Sequence, residues 1–121
     1  MEHSSLVAFL NGSLSPEAFG SEIEAEVDAC ERGFRSGEVG HIIVTDGPET
    51  VVTREHVKRL LQALVEDRLP FLSANYAADC LMMSDDFEFA DEAVAEAVEF
   101  VADDSRPPTP EETEAALAQL N

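Results

Sequence analysis

The sequence predicts a mainly helical, single-domain bundle of about five helices, with a short β-hairpin near residues 41–53. Three observations indicate this fold. The chain has 121 residues, the usual length of one domain, which here spans 1–121. Apolar residues make up 45% of it, enough to bury a core despite a large surplus of acids. In most segments, apolar residues recur three or four positions apart, which is the period of an amphipathic helix.

Two helices are predicted in the first third of the chain. The apolar segment 5–10 ends at Asn11-Gly12, which is typical of one or two helical turns with a glycine stop. Ser15 and Pro16 then supply a cap and a first-position proline for a longer helix. Spacings of 4, 4, 3 and 4 define the buried face of that helix, which consists of Phe19, Ile23, Val27, Cys30 and Phe34.

The segment 38–53 is β-branched rather than helical in character. The runs His41–Thr45 and Thr50–Thr53 flank the turn sequence 46–49, and this pattern predicts a short hairpin. An ordered loop is the open alternative, because glycines are dense at 37, 40 and 47. A lone hairpin is marginal in water, so we expect it to pack on the helices or to pair with another chain.

The second half predicts four elements in succession. Thr53 can cap a helix that buries Val57 and the leucines after it. Pro70 opens a helix to about Met83 that is apolar nearly all round, so we expect it to be central, with Met82 and Met83 as core residues. A helix over 90–102 follows, and a capping box at 109–112 begins the last helix. The helix at 90–102 should bury Ala90, Val94, Ala97, Val98 and Val101.

The sequence holds no catalytic or metal-binding constellation, so we expect no enzyme activity, no cofactor and no metal. The three histidines are scattered, with no Cys, Asp or Glu at ligand spacing, and motifs for phosphate binding or an activated nucleophile are missing. Cys30 and Cys80 form no redox motif, and a buried free thiol is the better interpretation of Cys30. Asp79, in the most apolar predicted helix, is either a semi-buried acid or base or a solvated helix-edge residue.

Charge is the strongest functional indication. There are 26 acids against 7 bases, a net charge of −19, and from Asp79 onward there are 13 acids and a single base, Arg106. Such a field repels nucleic acid and anionic membranes and attracts basic partners. In the helix predicted at 90–102, acids recur at spacings of 4, 3 and 4 with no intervening base. The predicted partner-binding residues are Asp85, Asp86, Glu88, Asp91, Glu92, Glu96, Glu99 and Asp103.

Each functional interpretation of this acidic region has a structural alternative. The acids are either a docking surface for a cationic partner or a solvated coat that maintains solubility. Phe87 and Phe89 are either anchors at such an interface or a hydrophobic staple on the following helix. The first residues lack the basic and apolar regions of a signal peptide, and no apolar run approaches the roughly 20 residues that cross a bilayer. We therefore expect a cytoplasmic protein.

Three segments give the chain a family resemblance. They are Leu6–Phe19, then Tyr76–Leu81 with Asp85–Glu92, and finally Thr109–Glu112 in the closing helix. In these segments the chain resembles the small acidic helical immunity proteins that bacteria use against colicin-like and contact-dependent toxins. The resemblance implies a cytoplasmic protein that binds and blocks one cognate toxin, often a basic nuclease. It assigns no individual residues, because these proteins diverge most at their toxin-binding surfaces.

Two function classes therefore stand side by side. The leading hypothesis is a small acidic binding protein that neutralises a basic partner, as an immunity protein does. The alternative is a structural or housekeeping helical module with a solubilising acidic surface, either a monomer or a homodimer through the edge of the hairpin at 41–53.

Overall fold

The computed structural model describes residues 1–35, 43–103 and 105–121, with only the backbone of residues 34 and 35. In these ranges the protein is mainly helical, with a two-stranded parallel sheet, so the predicted fold class is confirmed. The elements are α1 (His3–Leu10), α2 (Pro16–Arg35), β1 (Thr50–Val52), α3 (Arg54–Val65), α4 (Phe71–Met83), β2 (Phe87–Phe89), α5 (Glu92–Ala102) and α6 (Pro110–Ala118).

Polar side chains fix the starts of four helices. Ser15, Thr53 and Thr109 each accept a hydrogen bond from the backbone N–H three residues later, as their sequences predict. Asp91 caps α5 in the same way, since its Oδ1 accepts the Val94 N–H at 3.0 Å. Each cap satisfies one of the backbone donors that the first helical turn leaves open.

The predicted hairpin is wrong in its pairing. β1 forms where a strand was expected, but it pairs in parallel with β2, with Val52 opposite Phe89. Of the predicted first arm, His41 and Ile42 lie outside the described residues, and 43–45 form no strand. A parallel pair needs a long crossover between its strands, and the helices α3 and α4 supply one.

The helix α4 is the centre of the bundle, as its sequence predicts. Six consecutive residues from Ser73 to Ala78 are buried, and α4 packs against α2, α3 and α5. The predicted faces of α2 and α5 are also buried, except that Ala90 lies exposed before α5 begins. The predicted burial of Phe34 falls outside the described side chains. Both cysteines are buried free thiols, which confirms the interpretation of Cys30.

Burial raises the pKa of the Cys80 thiol to about 12 and also raises the pKa of Cys30. Both groups therefore stay protonated at neutral pH, and neither is an activated nucleophile. Across the described ranges, no helix has the length and apolar character needed to cross a membrane.

Candidate binding site

The outer side of α5 carries an acidic stripe, which we define as Glu92, Glu96, Glu99 and Asp103. All four side chains are exposed, on the side of the helix opposite its buried valines. Asp103 accepts the Ser105 N–H at 3.0 Å. The side chains of the three glutamates form no hydrogen bond or ion pair with any described residue. Like charges at this spacing repel each other by a few tenths of a kcal/mol per pair, so the stripe destabilises its own helix.

Five of the described basic side chains are engaged elsewhere. Arg106 holds Glu112 through two contacts of 2.7 Å, and this pairing is the main cause that lowers the pKa of Glu112 to about 2. Arg59 donates to the Leu10 carbonyl oxygen at 3.0 Å. The other ion pairs with side-chain bases are Arg54–Asp91, Lys58–Glu55, Arg68–Glu17 and Arg68–Glu66. In the part of the chain that the structure describes, no cation is in ion-pair contact with the three stripe glutamates.

The helices α2 and α5 carry acids at the same spacing but differ in the basic residues of their sequences. The helix α2 presents Glu24, Asp28 and Glu31 at the same spacings of 4 and 3. There, however, Arg32 follows Asp28 by four residues, the separation at which opposite charges on one helix face attract. The acidic stripe on α5 has no base within its helix. The α2 acids therefore provide a matched control for it.

The remaining predicted site residues fall into different environments. Asp91 is structural, because it caps α5 and accepts a 3.0 Å hydrogen bond from Arg54 Nε. These bonds, first the one from the Val94 backbone, lower the pKa of Asp91. Glu88 lies exposed on β2. Asp85 and Asp86 line a groove before β2, so the eight predicted carboxylates do not form one uniform face.

This groove, which we call the 43/83 groove, has a volume of about 600 Å³. Two of its apolar residues, Ile43 and Met83, are 61% and 64% exposed. Met82 is also exposed, so the prediction that Met82 and Met83 fill the core is wrong; both follow the buried part of α4 at its last turn. The described residues lining the groove are Ile43, Val44, Asp46, Met83, Ser84, Asp85 and Asp86.

A buried polar cluster fastens one wall of the 43/83 groove. The Tyr76 hydroxyl donates to Glu26 at 3.0 Å and accepts the Ile43 N–H at 3.2 Å. Burial is the main cause that raises the pKa of Tyr76 to about 12, so the hydroxyl keeps its proton. The Cys80 thiol lies 4.0 Å from the Ile43 carbonyl oxygen. The contacts with Tyr76 and Cys80 thus hold the backbone of Ile43 in place, while its side chain faces solvent.

The facing wall is held by Asp86. Its backbone carbonyl accepts the Thr50 N–H at 2.8 Å, and its Oδ2 accepts the Gly47 N–H at 3.1 Å. Gly47 in turn packs flat against the ring of His3, which is 3% exposed and stacks on Phe87 with ring centroids 4.7 Å apart. These contacts join the loop after Ile43 to the start of β2.

The two phenylalanines of the acidic region belong to β2. Phe87 is buried under His3, so it is not an exposed anchor. Phe89 is half-buried against the core. Both lie in the strand β2, which contacts α5.

Asp79 is the remaining candidate acid or base. Asp79 is half-buried and contributes to the raised pKa values of both cysteines through its charge. No group of three or more His, Cys, Asp or Glu side chains in the described ranges is arranged to hold a metal ion.

No protein-family model, curated protein or solved structure matches this chain. Any functional assignment therefore rests on the chemistry of its own side chains.

Proposed function

We propose that this is a small binding protein that neutralises a basic protein partner through the acidic stripe on α5. One observation carries the proposal: Glu92, Glu96 and Glu99 lie side by side without a counter-ion among the described residues, whereas acids such as Asp91, Glu17 and Glu112 are ion-paired. Such an arrangement costs stability in the free protein. A cationic partner would relieve that repulsion on binding.

The physical advantage of this surface is speed and selectivity. Complementary potentials steer two proteins together and raise association rates, while partners of like charge are rejected. If the partner is a nuclease, the carboxylates compete with the phosphate backbone of nucleic acid for the same lysines and arginines. Inhibition then needs only occupancy of the cationic surface.

A bacterial immunity protein is the specific form of this function that we propose. The support is the small size, the helical fold and the net charge of −19, together with the resemblance of three segments to that class. In this role the protein would act in the cytoplasm, where it would bind and block one cognate toxin.

The decisive test compares two charge reversals of equal size. The variant E92K/E96K/E99K reverses the acidic stripe, and E24K/D28K/E31K reverses the matched acids on α2. The purified protein is used to capture a partner at low salt, and the captured protein is then purified and titrated by calorimetry. We expect the α5 variant to lose binding and the α2 variant to retain most of it. Equal losses in both variants would show non-specific attraction and would reject the proposal.

Neutralisation needs its own measurement. The partner's toxicity to growing cells should be suppressed by co-expression of the wild-type protein and of the α2 variant, but not of the α5 variant. Suppression by all three proteins would show that protection does not depend on the acidic stripe, and it would contradict the proposed mechanism.

A second candidate function follows from the exposure of β1. Val51 is 50% exposed in a sheet that has only two strands in the described part of the chain. An open strand edge can pair with a second copy, and a structural homodimer would result. Light scattering over a range of concentrations tests this candidate: a dimer that V51P converts to monomer supports it, and a monomer throughout excludes it.

A further inference from the structure

The 43/83 groove combines apolar exposure with free acids. Ile43 and Met83 are the two most exposed large apolar side chains of the described residues, and both line this groove. Apolar side chains that are exposed together, rather than singly, mark interaction surfaces. Met83 is also suited to contact, because its unbranched thioether chain adapts to the shape of a bound group.

Two carboxylates stand on opposite segments of the groove. Asp46 and Asp85 are exposed and form no hydrogen bond or ion pair with any described residue. Asp86, by contrast, is already bonded to the Gly47 backbone. The groove therefore offers an apolar surface and two free negative charges to whatever enters it.

We infer that the 43/83 groove binds an arginine of the basic partner together with an adjacent apolar residue. This inference rests on the proposed function, because it takes a basic partner as given, but it assigns a second contact outside the acidic stripe. Arginine has an aliphatic stem that covers apolar surface and a planar guanidinium that bonds carboxylates. The stem and the apolar neighbour would contact Ile43 and Met83, and the guanidinium would bond Asp46 and Asp85.

The groove is suited to this role because its backbone is already fixed. Ile43 is held by Tyr76 and Cys80, and the segment that carries Asp85 ends at Asp86, which is bonded to Thr50 and Gly47. A surface whose backbone does not have to be ordered on binding keeps more of its contact energy as affinity. The acidic stripe supplies long-range attraction, and the groove supplies short-range selection by shape and charge.

The probe is a short capped peptide of alternating arginine and leucine. Its binding to the full chain is followed by NMR of the methyl groups of Ile43 and Met83, with M83Q identifying the second resonance. We expect both methyl signals to shift and to saturate. Peptides of arginine with serine, or of lysine with leucine, should bind about tenfold more weakly, because serine lacks the apolar contact and lysine lacks the planar fork that bonds two carboxylates.

Variants test which surface is responsible. I43S/M83S should weaken the arginine–leucine peptide about tenfold, whereas L72S removes a comparably exposed apolar residue of α4 outside the groove and should leave affinity unchanged. D85N should weaken binding and reduce its dependence on salt. Circular dichroism melts confirm that each variant is folded. The inference would be overturned if the peptide bound without shifting the methyl signals of Ile43 and Met83. Equal binding of the peptide by wild type and by I43S/M83S would overturn it as well.

The two proposals fail in different ways. If E92K/E96K/E99K abolishes binding of the protein partner while I43S/M83S does not affect it, the groove inference is wrong and the proposed function stands. If the peptide binds the groove but no partner depends on the acidic stripe, the proposed function is wrong and the groove remains a binding site for arginine.

Discussion

At the scale of single residues, His3 and His56 each have a structural role that the sequence did not indicate. His56 lies in the first turn of α3, where the helix dipole disfavours a cation, and it completes a capping box there: the Thr53 N–H donates to its Nδ1 at 3.1 Å, and Thr53 Oγ1 accepts the His56 N–H at 3.3 Å. The third position of a capping box is normally Glu or Gln. A histidine there accepts only when it is neutral.

This cap predicts a pH dependence of stability. Burial, and then the charge of Arg59, lowers the pKa of His56 below its usual 6.5. Because the pKa in the folded protein lies below that in the unfolded chain, the contribution of His56 is complete above pH 6.5 and is lost as pH falls through the folded value. In H56Q the amide oxygen accepts the same hydrogen bond at every pH.

The measurement is urea unfolding of wild type and H56Q between about pH 7 and pH 5. We expect wild type to lose stability relative to H56Q as the pH falls, up to about 1 kcal/mol, which is the usual worth of an N-cap. H56A is the control, since it lacks the Nδ1 acceptor of the Thr53 N–H at every pH. Parallel curves for wild type and H56Q would show that His56 does not act as a proton-sensitive cap.

A second prediction concerns the contact between Gly47 and His3. A Cβ atom on Gly47 would lie 2.3 Å from Cγ and Nδ1 of the His3 ring. The ring cannot retreat, because it is buried and stacked on Phe87. We therefore expect G47A to lower the free energy of unfolding by about 1–3 kcal/mol, the usual cost of overpacking.

Two variants give this prediction its control. G20A places a Cβ 3.2 Å from a Leu69 methyl group and improves helix propensity, so it should cost much less than G47A. The H3A/G47A double variant should show a coupling energy, since removing the ring removes the clash. Additive losses from H3A and G47A would rule out the proposed contact.

At the scale of elements, local chemistry predicted the helices well and the sheet poorly. Helix starts are decided by a few neighbouring atoms, so the capping positions Ser15, Thr53 and Thr109 identify them. Strand pairing is decided by where distant segments meet. The β-branched residues of β1 indicated a strand, but nothing local indicated that Phe87–Phe89, which is bounded by acids, would be its partner.

The two parts of the candidate site also differ in how well the sequence predicted them. The acidic stripe was visible in the sequence, because a regular spacing on one helix is a local property. The 43/83 groove was not, since it brings together Ile43 and Met83, which are 40 positions apart and of which the second was expected in the core. The Tyr76–Glu26 hydrogen bond that holds the groove is equally non-local.

The register of β1 yields a prediction at this scale. Val52 is fully buried and Val51 is half exposed, so the two adjacent valines face opposite sides of the sheet. V52A should lower the free energy of unfolding by about 2 kcal/mol, and V51A should change it by less than about 0.5 kcal/mol. Chemical unfolding measures both. Similar losses in the two variants would mean that the strand is not fixed in this register, because a slip of one residue exchanges the two faces.

At the scale of the whole molecule, the net charge of −19 divides into a compensated part and an uncompensated part. Ion pairs such as Arg54–Asp91 and Arg68–Glu17 connect distant segments across the surface and neutralise the acids they use. The acidic stripe has no such compensation. Natural surfaces usually mix both signs of charge, which favours stability. Because the acidic stripe contains no basic residue, we expect it to lower the free energy of unfolding measurably.

That cost gives the last prediction. E92Q/E96Q/E99Q keeps side-chain size and helix propensity but removes the repulsion, so it should unfold at a higher urea concentration than wild type at low salt. The gain should be a few tenths of a kcal/mol per neighbouring pair and should nearly vanish in about 1 M salt, where charges are screened within about 3 Å. The matched variant E24Q/D28N/E31Q should gain less, because it also removes the attraction between Asp28 and Arg32, which follows it by four residues. If E92Q/E96Q/E99Q is more stable than wild type and no longer binds the partner, the repulsion within the acidic stripe is linked to its function. If instead the α5 variant gains nothing, the stripe bears no strain for a partner to relieve, and the physical basis of the proposed function is lost.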